Sequence, residues 1–301
     1  MLVIRYRAIF FGITAIVLAL SIGAIAFFGL HFGLDFTGGS LLEVRYHNER
    51  PDKMLIETEL GTLNLGSISL RQSGDGEAFI LRTRDLGETE RQSVVDVLSR
   101  GGTTEMTVER FASVGPVIGT ELRNKAILAI AIVTLAMMLF IAYVFRHVSK
   151  PVSSWKYGVI AIVALLHDII VPTGVFAVLG YLFGTEIDVL FVVALLAILG
   201  YSLNDTIVVF DRVRENLREN QESNRKEEFE LTVGKSLNQT YARSINTALT
   251  TAMVLLALFF VGSPATRDFA LVLIAGIVAG TYSSIFLASP LLVAWEKMAR
   301  D

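Results

Sequence analysis

Asp205 lies in the apolar stretch Gly200-Tyr-Ser-Leu-Asn-Asp-Thr-Ile-Val-Val-Phe210, where a charged side chain needs a physical reason. From Ile187 to Phe210 the only other carboxylate is Asp188, and a helix over that range is of bilayer-spanning length. A carboxylate in hydrocarbon costs at least about 2.5–3.5 kcal/mol on insertion scales, so it faces a protein partner or a hydrated path. The next apolar run opens at Arg243, and Arg243, Asn246, Thr247, Thr250 and Thr251 fall at i, i+3, i+4, i+7 and i+8. That spacing is one polar helical face. A carboxylate on one span and a guanidinium at the head of the next predict a proton or ion relay through Asp205, Asn204, Arg243, Thr247 and Thr250. The plainer roles are an interfacial anchor for Arg243 and a helix-to-helix hydrogen bond for Asp205. A neutral Asn or Ser would make that bond at lower cost, and hydroxyls alone would mark only helix packing.

His167-Asp168 is a second pair of ionisable residues inside an apolar run. Adjacent helix positions point about 100° apart, so a relay role and a structural hydrogen bond both stay open. Gly276, Gly280 and Ser284 repeat every four residues, the small-residue pattern of close helix crossing, and Gly262 and Pro264 break the chain before them. No cofactor or metal is expected. The four histidines (His31, His47, His147, His167) show no ligand spacing, and cysteine is absent. Without a nucleophile–base pair or phosphate loop, the chain does not read as an enzyme. A net charge of −3 gives no basic character for nucleic acid.

The elements that must position these residues are membrane spans. The chain is 53% hydrophobic and 18% charged, with mean hydropathy +0.58. Six segments reach or approach the length that crosses hydrocarbon: Ala8–Leu30, Ala126–Phe145, Tyr157–Phe183, Ile187–Phe210, Ser244–Val261 and Phe269–Trp295. The first reads as a retained signal anchor, too long for a cleaved peptide. Arg5 and Arg7 precede it, Arg146, Lys150 and Lys156 follow the second span, and Lys297 and Arg300 follow the last. The third connection has no basic residue and the fifth only Arg267. By the positive-inside rule both termini are cytoplasmic.

Residues 32–123 then form an external domain between span one (1–31) and spans two to six (124–301). Leu42, Val44 and Tyr46 alternate with Glu43 and Arg45 as in a half-buried strand, and a helix follows Pro51 near Asp52–Leu60. Ile68 and Leu70 begin a second strand, Ser73-Gly-Asp-Gly76 turns into Ala78–Leu81, Glu88–Ser99 is helical before Gly101-Gly102, and Met106 and Val108 mark the last strand. The order predicts a ferredoxin-like βαββαβ domain. Residues 211–243 read as a charge-laced cytoplasmic segment, a helix or helix pair over Asp211–Gln221 and on to Lys235, either solvated and amphipathic along the membrane lipid or a docking site for a partner. Phe32-Gly-Leu-Asp35-Phe-Thr37-Gly38-Gly39 and Gly115-Pro116 flank the domain as turns, with a hinge as their functional reading.

Phe32 to Gly39, Val114-Gly-Pro116, Leu166-His-Asp168, Gly200 to Asn216 and Gly280 to Pro290 together resemble the SecF family of the bacterial protein-export machinery. The resemblance covers nearly the whole chain. It implies a half-transporter of the resistance-nodulation-division type in the bacterial inner membrane, paired with SecD. Such a pair joins the SecYEG channel and uses the proton gradient for late export of a preprotein, after the motor SecA. By position, Asp205 and Arg243 become the family's proton-linked carboxylate and arginine, and Asp35 part of its external signature. Half of a proton-driven small-molecule efflux pump is the alternative, and a passive assembly factor a third reading. Efflux would call for a larger external region with an apolar pocket.

Overall fold

The computed structural model describes residues 2–48, 50–73, 77–146 and 153–298. The expected turn at 74–76 and the basic residues Lys150 and Arg300 lie outside them, as does His147. The chain divides into a helical unit, 1–31 with 127–301, and an α/β unit, 32–126.

In chain order the elements are α1 (Leu2–Arg5), α2 (Arg7–Phe28), α3 (Leu34–Thr37), β1 (Gly39–Tyr46), α4 (Lys53–Gly61), β2 (Ser69–Ser73) and β3 (Ala78–Thr83). There follow α5 (Glu88–Leu98), β4 (Met106–Val114), α6 (Pro116–Val144), α7 (Ser154–Phe183), α8 (Val189–Glu222) and α9 (Phe229–Val261). The chain closes with α10 (Pro264–Tyr282), a π-helical turn (Ser283–Ala288) and α11 (Ser289–Met298). Among the described residues six helices are long and apolar enough to span a membrane, α10, the π turn and α11 acting as one.

The α/β unit is the predicted βαββαβ arrangement, an antiparallel sheet in the order β2-β3-β1-β4. Leu42, Val44, Tyr46, Phe79 and Leu81 face the helices and pack with Ile56, Leu60, Val94 and Leu98, all essentially without solvent contact. Asp52 caps α4 by accepting from Met54 N at 2.8 Å, and α5 stops where Gly101 (φ +65°) and Gly102 (φ +84°) take left-handed angles. The alternation in β4 is interrupted by a bulge opposite Glu43 and Val44. Consecutive charges there, Glu109-Arg110, let Glu109 pair with Arg45 at 2.5 Å while Val108 and Phe111 both return to the helix-facing side.

In the helical unit α2 packs on α7, and α10 lies against α7, α8 and α9. Phe145, Tyr157 and Phe210 form an aromatic centre, with the first two rings stacked 5.2 Å apart. Residues 211–243 form a pair of helices, each the continuation of a span. They are no separate helix along a surface: α8 runs unbroken to Glu222 and α9 begins at Phe229. Val213 and Leu217 face Phe229, Val233 and Leu237, while Asn216 donates to Ser236 Oγ and Gln239 Oε1, both at 2.8 Å. The apolar stripe that looked amphipathic is buried against its own hairpin partner, not against lipid.

Candidate functional site

Asp168 is fully buried on α7. Its Oδ1 meets His167 Nδ1 at 2.8 Å, and its Oδ2 accepts from Ser202 of α8 and from Ser283 of the π turn, the latter at 2.9 Å. One carboxylate thus ties three elements together. Neighbours in sequence reach each other here because both side chains bend toward the same site. Pro172 follows four residues later and has no N–H to offer the Asp168 carbonyl, which locally frees the α7 backbone.

Asp205 sits one turn beyond Ser202 on α8 and is half-buried. Ser244 of α9 donates to its Oδ1 at 2.5 Å. Its Oδ2 is buried without a hydrogen-bond partner among the described residues, although the Ser284 hydroxyl stands beside it. Ser284 in turn shares a hydrogen bond of 2.9 Å with Thr206. Ser283 and Ser284 therefore address the two carboxylates from adjacent positions.

The π turn makes this possible. Pro290 cannot donate to the Phe286 carbonyl four residues back, and Ser289 Oγ donates to the Ser284 carbonyl at 3.0 Å. The widened turn re-aims one face of the helix, as single π turns at functional sites do. Below it, the small residues do what their spacing predicts. A Cβ on Gly276 would lie 2.1 Å from Ile198 Cδ1, and one on Gly280 would lie 2.9 Å from Ser202 Cβ. Gly276, Gly280 and Ser284 lie against Ile198, Ser202 and Thr206, a ladder along the α8–α10 crossing.

The other residues expected in the relay face outward beside this centre. Asn204, Arg243, Asn246, Thr247 and Thr250 are exposed on the helical unit, and no ion pair joins Arg243 to Asp205 among the described residues. Thr250 Oγ1 turns back to the carbonyls of Asn246 and Thr247 at 3.0 Å. Ser244, one residue from Arg243 and about 100° around the helix, supplies the contact instead. Ser244 and Ser283 carried no signal of their own in the sequence. The pair Ser283-Ser284 shortly before Pro290 was the available clue.

In the α/β unit, Gly38 (φ +71°) and Gly39 (φ +113°) follow Asp35 and Thr37 of α3. A Cβ on Gly38 would lie 2.7 Å from Pro116 Cα, and one on Gly39 2.6 Å from the Thr83 carbonyl oxygen. Gly119 on α6 meets Gly38 N just as closely. The two junctions thus meet backbone on backbone where Gly38 packs on Pro116.

Fold and site together define a six-span helical membrane protein with an inserted βαββαβ unit and a polar centre between its third, fourth and sixth spans. Residues 94–298 match the family described as protein export membrane protein SecD/SecF, C-terminal, and residues 23–49 match the SecD/SecF GG motif. The chain belongs to the SecD/SecF family of protein-export membrane proteins. It is 41% identical to the protein translocase subunit SecF of Thermobaculum terrenum, over 98% of this chain and 93% of that one. Identity to the SecF subunit of Anaerolinea thermophila is 38%, over 96% and 92%. The crystal structure of SecDF, a translocon-associated membrane protein from Thermus thermophilus, superposes with a TM-score of 0.80 at 32% identity. That match covers 98% of this chain but 38% of the SecDF chain.

Proposed function

We propose that this chain, joined to a SecD-type partner, couples proton movement past Asp205 to the late stage of polypeptide export through SecYEG, after SecA has acted. The observation that carries the reading is the setting of Asp205: a half-buried carboxylate inside a span, with one oxygen held by the Ser244 hydroxyl and the other without a hydrogen-bond partner among the described residues. Such a group can take and release a proton without dismantling a salt bridge. The exposed stripe of Asn204, Arg243, Thr247 and Thr250 supplies polar surface that a second half would cover, closing a path lined from both sides. Termini and the α8–α9 tip lie in the cytoplasm of a bacterial inner membrane, with the α/β unit outside. Each elementary charge crossing the membrane contributes about 2.3 kcal/mol per 100 mV, enough over a few protons to tilt the α/β unit against emerging polypeptide. The two junctions would move together, since Gly38 packs directly on Pro116.

The test is Asp205→Asn in proteoliposomes holding the chain with SecD and SecYEG. Gradient-dependent export should be lost while assembly persists. Undiminished gradient-dependent export would overturn the reading.

A further inference from the structure

The geometry points to His167 Nε2 as a second proton-accepting atom of the helical unit, positioned by Asp168 and acting in series with Asp205. This rests on the proton-coupled reading of Asp205. The arrangement of donors is the argument. Ser202 and Ser283 both donate to Asp168 Oδ2, which leaves Oδ1 to accept from His167 Nδ1 at 2.8 Å. An ionised Asp168 so bonded fixes the tautomer with its hydrogen on Nδ1 and the lone pair on Nε2. His167 is 2% exposed, and its Nε2 is buried with no hydrogen-bond partner among the described residues. That nitrogen therefore holds a lone pair in the interior with room in its bonding for a proton.

A proton arriving at Nε2 forms one N–H bond from that lone pair and breaks none of the existing hydrogen bonds. The product is an imidazolium against a carboxylate, a neutral pair, and release of the proton restores the starting state. This is the role a carboxylate plays when it orients and stabilises a proton-accepting imidazole. The groups around the pair suit it. Ser202 faces it from α8 and Ser283 from the π turn. Tyr282 of α10 stacks on the imidazole at 5.9 Å, its hydroxyl engaged 3.1 Å from Thr14 Oγ1 and the Phe10 carbonyl of α2. None of these five residues carries a charge. The ionisable side chain that shares their surroundings is Asp205, one turn beyond Ser202, and Ser283 and Ser284 connect the two sites through neighbouring positions of one turn.

The experiment is nitrogen NMR on the full chain in lipid bilayers with 15N-labelled histidine. The His167 signals are assigned by their loss in His167→Asn, whose amide keeps a donor near the Nδ1 position and removes Nε2. Should that variant fail to fold, replacing His31, His47 and His147 by Gln leaves His167 as the single labelled histidine. The expected result is Nδ1 protonated throughout, with Nε2 passing from bare to protonated as the pH is lowered. In proteoliposomes with SecD, His167→Asn should also lower proton flux at least about a hundredfold, the scale of a lost proton-transfer group. An Nε2 that stays bare, or stays protonated, at every pH overturns the proposal, as does unchanged flux in a folded His167→Asn. Since the nitrogen signal does not depend on export, its failure leaves the role of Asp205 standing. Failure of that role appears separately, as retained coupling in Asp205→Asn.

Discussion

In the α/β unit the buried layer of Leu42, Val44, Ile56, Leu60, Phe79, Leu81, Val94 and Leu98 is apolar, and its ion pairs, such as Arg84 with Glu90 and Arg91 with Glu88, lie at the surface. Between α7, α8, α10 and the π turn a polar cluster is buried beside apolar side chains such as Leu165, Leu199 and Ile285. His167, Asp168, Ser202, Thr206, Ser283 and Ser284 are all buried, while Ile9, Ile16, Leu20, Ile127, Leu139, Val254 and Phe260 point outward. The solvent explains the contrast. Water drives apolar side chains together in the α/β unit. Hydrocarbon gives helices no such drive, so they associate through close backbone approach and hydroxyl bonds. Polar chemistry can therefore be placed inside the helical unit alongside its apolar cluster, whereas the packed layer of the α/β unit is apolar throughout.

The contrast can be broken most strongly at Phe79. Phe79→Ala should destabilise the α/β unit by about 3–5 kcal/mol through cavity formation. Hydrogen exchange on the intact chain should show β1, β3 and α5 losing protection while α7 and α8 keep theirs. Parallel loss in both units would mean that they do not bury side chains independently.

Gly276→Ala probes the other unit. Its Cβ would meet Ile198, and overpacking of this kind costs about 1–3 kcal/mol. Ile198→Ala should restore the variant, since it removes the atoms in the way. Thermal unfolding in detergent measures both, and a lack of rescue would detach Gly276 from the α8–α10 crossing.

A smaller effect is expected at Tyr46, whose hydroxyl donates to the Leu98 carbonyl at 3.0 Å. Tyr46→Phe should cost about 1 kcal/mol, the net worth of one hydrogen bond. Burial pushes this phenol up to about 12. The folded state thus favours the neutral form. Its contribution is complete below the free tyrosine value near 10, declines above it and is gone once the pH has risen through the folded value. Alkaline titration should loosen the α/β unit of the parent chain, and Tyr46→Phe should flatten that response.

Glu90 gives the smallest change. The Arg84 guanidinium, and then the Gly87 N–H, hold its carboxyl below the ordinary glutamate value. This stabilisation is present above the unfolded value and disappears as the pH falls through the lower folded one. Glu90→Gln should remove that acid-side slope, and added salt should do much the same because the pair is exposed.

How much was legible in the sequence follows the same division. Alternation and turn residues marked every strand of the α/β unit, because a half-buried sheet in water writes its burial as a period of two. The bulge at Glu109 escaped, since two charges in a row look like any exposed edge. In the helical unit, the Gly276-Gly280-Ser284 spacing disclosed the crossing, and Asp205 and Asp168 stood out as charges in apolar runs. Their partners did not. Ser202, Ser244 and Ser283 are small residues of a kind found on any span, and only the crossing geometry distinguishes them from Thr247 or Thr250. The continuity of α8 and α9 was hidden for a related reason. An apolar stripe with charged flanks looks the same whether lipid or a second helix covers it.

That continuity has a mechanical consequence. From Asp205 to Glu222 the α8 helix is an unbroken rod of about 25 Å, stiffened along its side by the polar bonds to α9. A rotation of about 5° at the level of the carboxylate would swing its far end by on the order of 2 Å. Under the proton-coupled proposal the rod and its neighbour would act as a lever with its fulcrum at the small-residue crossing, and the arrival of one proton would reach the 223–228 turn as a displacement.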